Sequence, residues 1–486
     1  MVVNTRPAKG EEMRSSLWLV CLLVFGVGFL PLQVMAQDRP EPAPVGISAI
    51  PFNFGPPGAR SLGMGNAFIA IADDATASEA NPAGLTQLSR PEISLHGRYT
   101  SYESQFVDLS AVSALDTMNL NRSIWESPDY PPLPPNSVYG NAFAGDPLYT
   151  FDESQSDISY ASYVQPVKNW VFSAYYERLS DFFGSGEFGA YDDSFMDLYT
   201  TELAIGTSAE NIGLSVAVRL GKVFSLGASV RQTTLDVSYF SDFRISYYFE
   251  YEWLYVDQGS SLDDVRATPV TDYFGFSESI DGEDSEITYN AGVLIKASEK
   301  FSVGLVYKYG GIYQISGYRE SYQTFFFEDP DTGEVIDIDE VERDPVVTSI
   351  TIPDLFGIGF SWRPTESLTI ALDANYITYS DLESPLATNP DLSPVIADEL
   401  EPVDDATEFH LGFEYSFFPG GGTKPLSLRA GVFTEHDHDG FSRIDSDEIN
   451  YTVGFGAVIS KAFQFDLAGR FSDTATEGAL SMIFRF

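Results

Sequence analysis

Apolar and polar residues alternate along most of the chain from Pro91 to Phe486. Clear runs occupy residues 212–220, 287–295 and 409–417. A period of two places successive side chains on opposite faces of a β-strand. Beyond the N-terminal region, no segment is apolar over the roughly 18 residues expected of a membrane-spanning helix. The alternation therefore predicts an all-β fold and excludes a helical membrane protein.

The connections between these runs are of two kinds. Six short ones lie at 166–169, 220–223, 298–300, 363–366, 418–425 and 460–462, and seven mostly long ones alternate with them at 101–156, 180–198, 236–283, 315–346, 381–404, 435–447 and 473–476. Short turns at one end and long loops at the other are typical of outer-membrane barrels, whose strands need about 9–11 residues to cross. We therefore predict a 14-stranded antiparallel transmembrane β-barrel over residues 91–486, with its short turns in the periplasm.

Aromatic residues near the predicted strand ends fit the interfacial girdles of such a barrel. They are Trp170, Tyr175, Tyr307, Tyr309, Trp362, Tyr376 and Tyr379. The last run ends the chain with Phe486 in the alternating register. A C-terminal phenylalanine in this position resembles the assembly signal of bacterial outer-membrane proteins. Periplasmic chaperones and the barrel assembly machinery are therefore expected partners.

The N-terminus carries the features of a secretory signal. An apolar run, Leu17–Leu30, follows three basic residues and precedes Val34-Met35-Ala36, which has small residues at the positions required for cleavage. An uncleaved anchor is the alternative, but the run is short for the ~20 residues that span a bilayer. We predict a signal peptide at 1–36, cleaved near Ala36, and a proline-rich extension at 37–57.

Charge and aromatic content limit the function classes. The chain has 71 Asp and Glu against 27 Lys and Arg, a net charge of −44, which opposes binding to nucleic acid. Its aromatic content of 14% argues against a disordered acidic chain. The single cysteine, Cys21, lies in the predicted signal peptide, so no disulfide framework is expected.

Residues 58–90 do not alternate and contain three short motifs. These are Gly58-Ala59-Arg60 followed by Gly63 and Gly65, then Ala72-Asp73-Asp74-Ala75, then Asn81-Pro82-Ala83-Gly84. The order and spacing resemble the N-terminal hatch of the FadL/TodX family of outer-membrane transporters. A similarity at Ile352-Pro353-Asp354 and Trp362-Arg363-Pro364 extends the resemblance along the barrel. It implies that residues 58–90 plug the lumen, which is wide enough in a 14-stranded barrel to hold them.

The resemblance also implies a function. Members of the family carry long-chain fatty acids and hydrophobic aromatic compounds across the outer membrane. For this chain the resemblance implies uptake of hydrophobic compounds, with long-chain fatty acids expected first, by facilitated diffusion, without a cofactor and without catalysis. The exit reported for the family is lateral, into the membrane. In this chain Gly184 and Gly186 are candidates for a break in the wall, because glycine weakens a β-ladder. A related branch serves as a barrel scaffold that docks partner proteins in a secretion system, and this is the alternative function.

Two sets of residues are candidates for contact with a ligand. Basic residues of lumen parity, which could attract a fatty-acid carboxylate or form salt bridges within the protein, are Arg98, Arg219, Arg231, Lys296, Lys308, Arg429 and Arg470. Aromatic residues of the predicted outer loops, which could capture ligand or pack on one another, are Phe240, Phe243, Tyr248, Trp253, Tyr255, Phe325, Phe326 and Phe327.

Other chemistry has weaker support. The acidic outer loops could bind divalent cations that bridge lipopolysaccharide, although a solvated acidic surface is the simpler interpretation. His436 and His438, with Asp437 and Asp439, could ligate a metal, but they lie in a predicted exposed loop without other ligands. His96 and His410 share the lumen parity and could form a catalytic pair, although ordinary hydrogen bonding in the lumen is the simpler interpretation. We expect a monomer in the outer-membrane lipid that binds no metal and no nucleic acid and has no enzymatic activity.

Overall fold

A computed structural model describes residues 41–42, 52–105, 150–192, 196–250, 269–328, 335–382, 404–419, 424–436, 448–473 and 475–486. Most of the described chain is β-strand. The strands are β1 (Glu41–Pro42), β2 (Glu92–Gln105), β3 (Thr150–Val167), β4 (Trp170–Asp192), β5 (Met196–Leu220), β6 (Phe224–Glu250), β7 (Pro269–Lys296), β8 (Phe301–Tyr309), β9 (Ile312–Glu328), β10 (Val335–Thr351), β11 (Leu355–Trp362), β12 (Leu368–Ile377), β13 (Ala406–Phe417), β14 (Leu426–Glu435), β15 (Glu448–Val458), β16 (Phe463–Phe471) and β17 (Ala475–Arg485).

These strands form one closed antiparallel sheet. From β2 to β8 and from β11 to β17 each strand pairs with the next along the chain, while β9 pairs with β7 and β10, and β8 also pairs with β11. β17 closes the ring by pairing with β2 from Ala475↔Tyr102 to Arg485↔Glu92. β8 with β9, and β10 with β11, are each one barrel strand interrupted at the same level, by Gly310-Gly311 and by Ile352-Pro353-Asp354. With each interrupted pair counted once, and the two-residue parallel strand β1 left out, the barrel has 14 strands. The predicted 14-stranded antiparallel barrel is confirmed.

The outward face of the barrel changes along the longer strands. In β6, Phe224 and Val230 point outward, and 50% and 54% of their respective surfaces are exposed. From Leu235 onward the pattern inverts, because Leu235 and Val237 are buried while Asp236 is exposed. An apolar outward face suits lipid, and a polar one suits water. β6 therefore leaves the apolar band near residue 232 and continues as a strand above it.

This continuation corrects the predicted loops. The limits proposed for loops 101–156, 180–198, 236–283 and 315–346 were too wide, because the adjoining strands extend well into each segment. Pairing of β6 with β7 runs as far as Glu250↔Pro269. In these segments the alternation of apolar and polar residues continues, but with the polarity of the two faces reversed, so the strands were predicted to end too early. Two predicted girdle residues were also wrong: Tyr175 and Tyr379 are buried, whereas Trp170 and Trp362 do lie on the exposed face.

Residues 52–90 lie within the ring of strands. They form the short helices α1 (Ala59–Gly63) and α2 (Ala77–Ala80) and a 3-10 helix, Pro82–Gln87, and most of their side chains are buried. α1 contacts β14–β17, and the 3-10 helix contacts β4–β7 on another side. The Asn81 side chain accepts a hydrogen bond from Ala83 N (3.1 Å), so it caps the segment that Pro82 begins. No helix among the described residues is long and apolar enough to cross a membrane.

Candidate functional site

The centre of the hatch, residues 58–90, is held by polar side chains aimed at backbone groups. Asp373 of β12 accepts hydrogen bonds from Phe68 N (2.6 Å) and Ile69 N (2.8 Å). Asn81 donates to Ile69 O (3.0 Å) and to Val293 O of β7 (3.1 Å). Asp373, Asn81, Phe68 and Ile69 are buried, and a buried polar group that loses its partner costs about 1–3 kcal/mol. The hatch is therefore fixed to the wall through its backbone.

A charged chain joins the hatch to strands β13, β14 and β16. The Arg60 guanidinium makes two hydrogen bonds to Glu414, at 3.0 and 3.1 Å, and also pairs with Asp73. Glu414 accepts a further bond from Arg429 (2.7 Å), and Arg429 pairs with Asp466 at 2.8 Å. Arg429 and Asp466 are almost completely buried. Each charge has an opposite charge beside it, which a dry lumen requires.

A second charged group lies on the opposite side of the hatch. Glu79 pairs with Arg231 of β6 at 2.6 Å, accepts a hydrogen bond from Asn290 (3.0 Å) and has Lys308 Nζ at 3.9 Å. Burial by itself would raise the pKa of the Glu79 carboxyl, but Arg231 and Lys308 outweigh it and hold that pKa below its usual value. Glu79 therefore remains charged and anchors the hatch to this wall.

Of the remaining predicted lumen cations, two form ion pairs with the wall and two lie at the short-turn end of the barrel. Arg98 pairs with Glu477 at 2.8 Å, and Arg470 pairs with Glu435. Arg219 is exposed and Lys296 half-buried at the short-turn end. Five of the seven predicted cations (Arg98, Arg231, Lys308, Arg429 and Arg470) thus contact a carboxylate of the protein itself. Their role toward a ligand carboxylate stays a prediction.

Glycines of the wall let the hatch backbone pack directly on the strands. A Cβ atom at Gly227 would lie 2.2 Å from Pro82 C, and one at Gly292 would lie 2.1 Å from Asn81 Oδ1. The same close approach occurs around the barrel at Gly304, Gly359, Gly412 and Gly431. Real Cβ atoms do not approach other atoms this closely, so the hatch cannot keep its position beside any larger residue. The sequence showed these glycines at alternating positions, but not what they would contact.

Above the hatch the lumen is apolar. Inward-facing side chains from β4 to β12 form one buried cluster, which includes Phe182, Ile205, Leu235, Val237, Tyr239, Ile280, Tyr313, Ile315, Ile350, Leu355 and Ile377. Phe52 belongs to the cluster and Phe54 packs against it, although both come from the N-terminal extension. The sequence did not predict this cluster, because it lies where the phase of the alternation inverts. Phe52 and Phe54 of the predicted extension thus lie in the apolar lumen, whereas Glu41–Pro42 pairs with β10.

The wall is interrupted between β3 and β4 beside this cluster. Their ladder runs from the short turn, Val167↔Trp170, and ends at Tyr160↔Glu177, although both strands continue. At the same point β4 has a bulge, because Arg178 pairs with Glu210 and Ser180 with Ala209, which leaves Leu179 without a partner on β5. Leu179 O accepts a hydrogen bond from Asn53 N (3.2 Å). We refer to this interruption as the β3–β4 gap.

The β3–β4 gap is apolar on its outer face and polar on its inner face. On its outer face Ile158 and Phe183 are exposed by 54% and 52%. A small cleft inside it is polar and is lined by Asn53, Arg98, Thr100, Gln155, Asp157, Ser159, Arg178, Leu179, Ser180 and Asp181. The predicted break at Gly184 and Gly186 lies further along β4, where both residues pair with β5 (Gly184↔Ile205, Gly186↔Leu203). A role of these two glycines stays a prediction, and the ladder already ends before them.

The predicted aromatic capture residues are mostly strand residues. Phe240, Phe243 and Tyr248 lie on β6 and pair with β7, and Phe325, Phe326 and Phe327 lie on β9 and pair with β10. Placing them in loops was therefore wrong, because the strands extend above the membrane. Phe240 is half-buried. Trp253 and Tyr255 lie outside the described residues.

The histidines serve separate structural contacts. His96 Nδ1 lies 2.6 Å from Ser481 Oγ, which accepts a hydrogen bond from Ala59 N in α1. His410 Nδ1 lies 3.0 Å from Gly65 O, and its Nε2 lies 3.1 Å from Asn375 Nδ2. Each thus supports a different part of the hatch. In the part of the chain that the structure describes, no group of three acidic, histidine or cysteine side chains could hold a metal ion; His438 and most of the acidic 381–404 segment lie outside it.

Comparisons with known proteins agree with this geometry. A family model described as "Outer membrane protein transport protein (OMPP1/FadL/TodX)" matches residues 189–476. A solved structure of a Pseudomonas aeruginosa FadL homologue is 12% identical, with 90% of this chain and 99% of that chain covered and a TM-score of 0.51. The CymD monoaromatic hydrocarbon channel is 15% identical, with coverage of 90% and 99% and a TM-score of 0.50. Identities this low show similarity of fold alone. No curated protein sequence matches the chain.

Proposed function

The chain belongs to the OMPP1/FadL/TodX family of outer-membrane transport proteins. We propose that it carries hydrophobic compounds, with long-chain fatty acids as the first candidate. The observation that carries the proposal is the position of the β3–β4 gap beside the apolar lumen. Phe182 belongs to the buried apolar cluster, and it lies three residues from the unpaired Leu179. A hydrophobic molecule held by the cluster is therefore close to a point where the wall is not sealed.

The height of the gap suits exit into the membrane. The β3–β4 ladder reaches Glu177, about 26 Å along the tilted strand from the short turn at about 3.3 Å per residue. This length brings a strand of about 40° tilt to the upper part of an apolar band about 25 Å tall. The hatch below the cluster would keep the direct route to the periplasm closed. Ligand would therefore move from the lumen through the gap, past Ile158 and Phe183, into lipid.

Fatty acids and neutral hydrocarbons place different demands on this site. An acyl chain fits the apolar cluster, and its carboxylate would lie in the polar cleft that Arg98 and Arg178 line. Arg178, however, already pairs with Asp181 and Glu210, both at 2.6 Å. Because Arg178 is already paired, the site also suits an uncharged ligand, which is the second candidate. The structurally similar CymD is described as a monoaromatic hydrocarbon channel. The docking scaffold of a secretion system is the third candidate function, and no contact among the residues that the structure describes favours it.

Uptake measurements test the function directly. Cells that express the protein in the outer membrane should accumulate labelled oleate or toluene faster than cells without it. A variant that lacks Asn81 to Gly84 should change the rate, because this segment supports the hatch through Ile69 O and Val293 O. Preference between the two labels assigns the ligand class. Equal uptake of both labels with and without the protein would contradict transport and leave the docking role.

Phe52 and Phe54 occupy the apolar lumen, so a ligand must displace them. We expect Phe52→Ala with Phe54→Ala to raise the initial rate of uptake about two- to fivefold at low ligand concentration, because the free site is populated more often. The measurement is labelled uptake at equal outer-membrane levels. Phe409→Ala, which removes an exposed ring from the outer face of β13, is the matched control and should not raise it. An unchanged rate in the double variant would contradict self-occupation of the lumen.

A further inference from the structure

Every short turn of the barrel carries a basic residue. In chain order they are Lys168, Lys222, Lys300, Arg363, Lys424 and Lys461, and all six are exposed. Arg90, just before β2, and Arg219, at the end of β5, are exposed at the same end. We call these eight residues the basic ring. The turn segments contain only two acids, Glu299 and Glu366.

This distribution runs against the composition of the chain. Acidic residues outnumber basic ones by 71 to 27, so an unselected set of solvated positions would be mainly acidic. In the ring the ratio is reversed. A local excess of positive charge on a protein of net charge −44 indicates an anionic partner at this end.

Most of the ring has no internal role in the described structure. Arg363 lies 3.4 Å from Asp73, and Lys300 donates to Pro364 O at 3.1 Å. For the turn lysines 168, 222, 424 and 461, no carboxylate partner is found among the residues that the structure describes. Ion pairing within the barrel therefore does not account for these four charges.

The ring lies directly next to the lipid-facing girdle. Exposed apolar residues on the adjoining strand ends and turns include Val167, Trp170, Val223, Phe224, Phe301, Trp362, Phe418, Ile459, Phe484 and Phe486. Such girdles mark the boundary between hydrocarbon and headgroups. Lysine stems extend along apolar surface and place their ammonium groups at the polar side of that boundary. The charges therefore lie at the depth of lipid phosphates.

We propose that the basic ring binds the phosphate groups of anionic phospholipids in the leaflet at the short-turn end. The ring follows the circumference of the barrel, which is the shape of the lipid annulus and not of a single protein interface. Each ammonium group can donate charge-assisted hydrogen bonds to phosphate oxygens. Attraction between basic residues and an anionic membrane surface is additive and weakens with salt. The proposal does not depend on which compound the barrel carries.

Tryptophan fluorescence gives a local test, because Trp170 and Trp362 adjoin Lys168 and Arg363. The protein without residues 1–36 and with Trp125→Phe and Trp253→Phe has Trp170 and Trp362 as its two tryptophans. It is placed in phosphatidylcholine vesicles that contain brominated phosphatidylglycerol or brominated phosphatidylcholine. We expect quenching to show at least about a threefold preference for phosphatidylglycerol at low salt, which declines at high salt. The quadruple variant Lys168→Gln, Lys222→Gln, Lys424→Gln and Lys461→Gln should lose this preference.

The matched control keeps the charge. Lys→Arg substitutions at the same four positions should retain the preference, and the barrels should remain folded by heat modifiability on gels. Equal quenching by the two lipids in the unsubstituted ring would overturn the proposal and point to an acidic protein as the partner. A preference that survives in the Lys→Gln variant would overturn it also.

Discussion

Replacing Arg429 by methionine should lower the free energy of unfolding of the barrel by about 3–5 kcal/mol. Arg429 lies between Glu414 and Asp466, and only 2% of its side chain is exposed. Methionine fills similar space but leaves Asp466 with no counter-charge from β14 and leaves Glu414 with Arg60 alone. A buried carboxylate without its partner is costly because water cannot replace the lost interaction. The measurement is urea unfolding of the protein in lipid vesicles, followed by tryptophan fluorescence.

The matched control is Arg343→Met. Arg343 also pairs with a glutamate, Glu320, at 3.7 Å, but 56% of its side chain is exposed. Exposed pairs contribute about 0–1 kcal/mol, so this change should be nearly neutral. Similar losses in the two variants would mean that the Arg60–Glu414–Arg429–Asp466 chain does not stabilise the fold beyond an ordinary surface pair.

Gly227→Val should displace the hatch while the barrel remains. The new Cβ would lie 2.2 Å from Pro82 C and 2.3 Å from Ala83 N, and these are backbone atoms that cannot rotate away. We expect a raised ion conductance in planar bilayers, because a displaced hatch no longer blocks the lumen. We also expect faster trypsin cleavage after Arg60, whose side chain is only 16% exposed when it is docked.

Gly478→Val provides the control for this effect. Gly478 is also a strand glycine, in β17, but no heavy atom lies within 4 Å of its added Cβ. Its valine variant should keep the low conductance and the slow cleavage. If Gly227→Val behaves in the same way, then direct packing of the hatch on wall glycines is not what holds it in place.

The strands of the second half could be predicted closely from the sequence. In β13, for example, Phe409 and Phe413 face lipid while His410 and Glu414 face the lumen, and a period of two leaves little freedom in that assignment. The hatch was also recognisable, because its motifs depend on glycine and on Asn81-Pro82, whose backbone preferences are strong. Local chemistry was sufficient in both cases.

The upper part of the barrel was not predictable with the same rule. Where a strand leaves lipid, its outward face becomes polar and its inward face becomes apolar. Around Leu235 this reversal interrupts the expected alternation, and the sequence therefore predicts a loop for this segment. The bulge at Leu179 coincides with a change in which residues of β4 face inward. Inward residues of β4 occupy odd numbers up to Glu177 and even numbers from Ser180, and this change of phase marks Leu179. Such a shift identifies an extra residue but does not show that the neighbouring ladder ends there.

The partners of the lumen cations depended on tertiary structure. Arg231 reaches Glu79 of the hatch, 152 positions away, and Arg470 reaches Glu435. Strand parity fixes which way a side chain points, but the acid that it meets is set by how the strands are staggered and how the hatch is docked. For the same reason, the sequence did not show that Asp373 accepts hydrogen bonds from Phe68 N and Ile69 N.

Deletion of Leu179, together with Ser159, tests whether ligand leaves through the β3–β4 gap. Removing Leu179 joins Arg178 to Ser180, whose partners Glu210 and Ala209 are adjacent on β5, so the inward and outward faces of β4 are preserved. β3 has an extra residue at the same level, because His96 pairs with Tyr160 and Arg98 with Asp157, so Ser159 is removed in the same variant. The two regular strands can then extend their ladder and close the gap. We predict that uptake of labelled ligand falls to about the level of cells without the protein, while the amount of folded barrel in the outer membrane stays the same. Uptake at the rate of the undeleted protein, with the folded barrel present, would contradict exit through the gap.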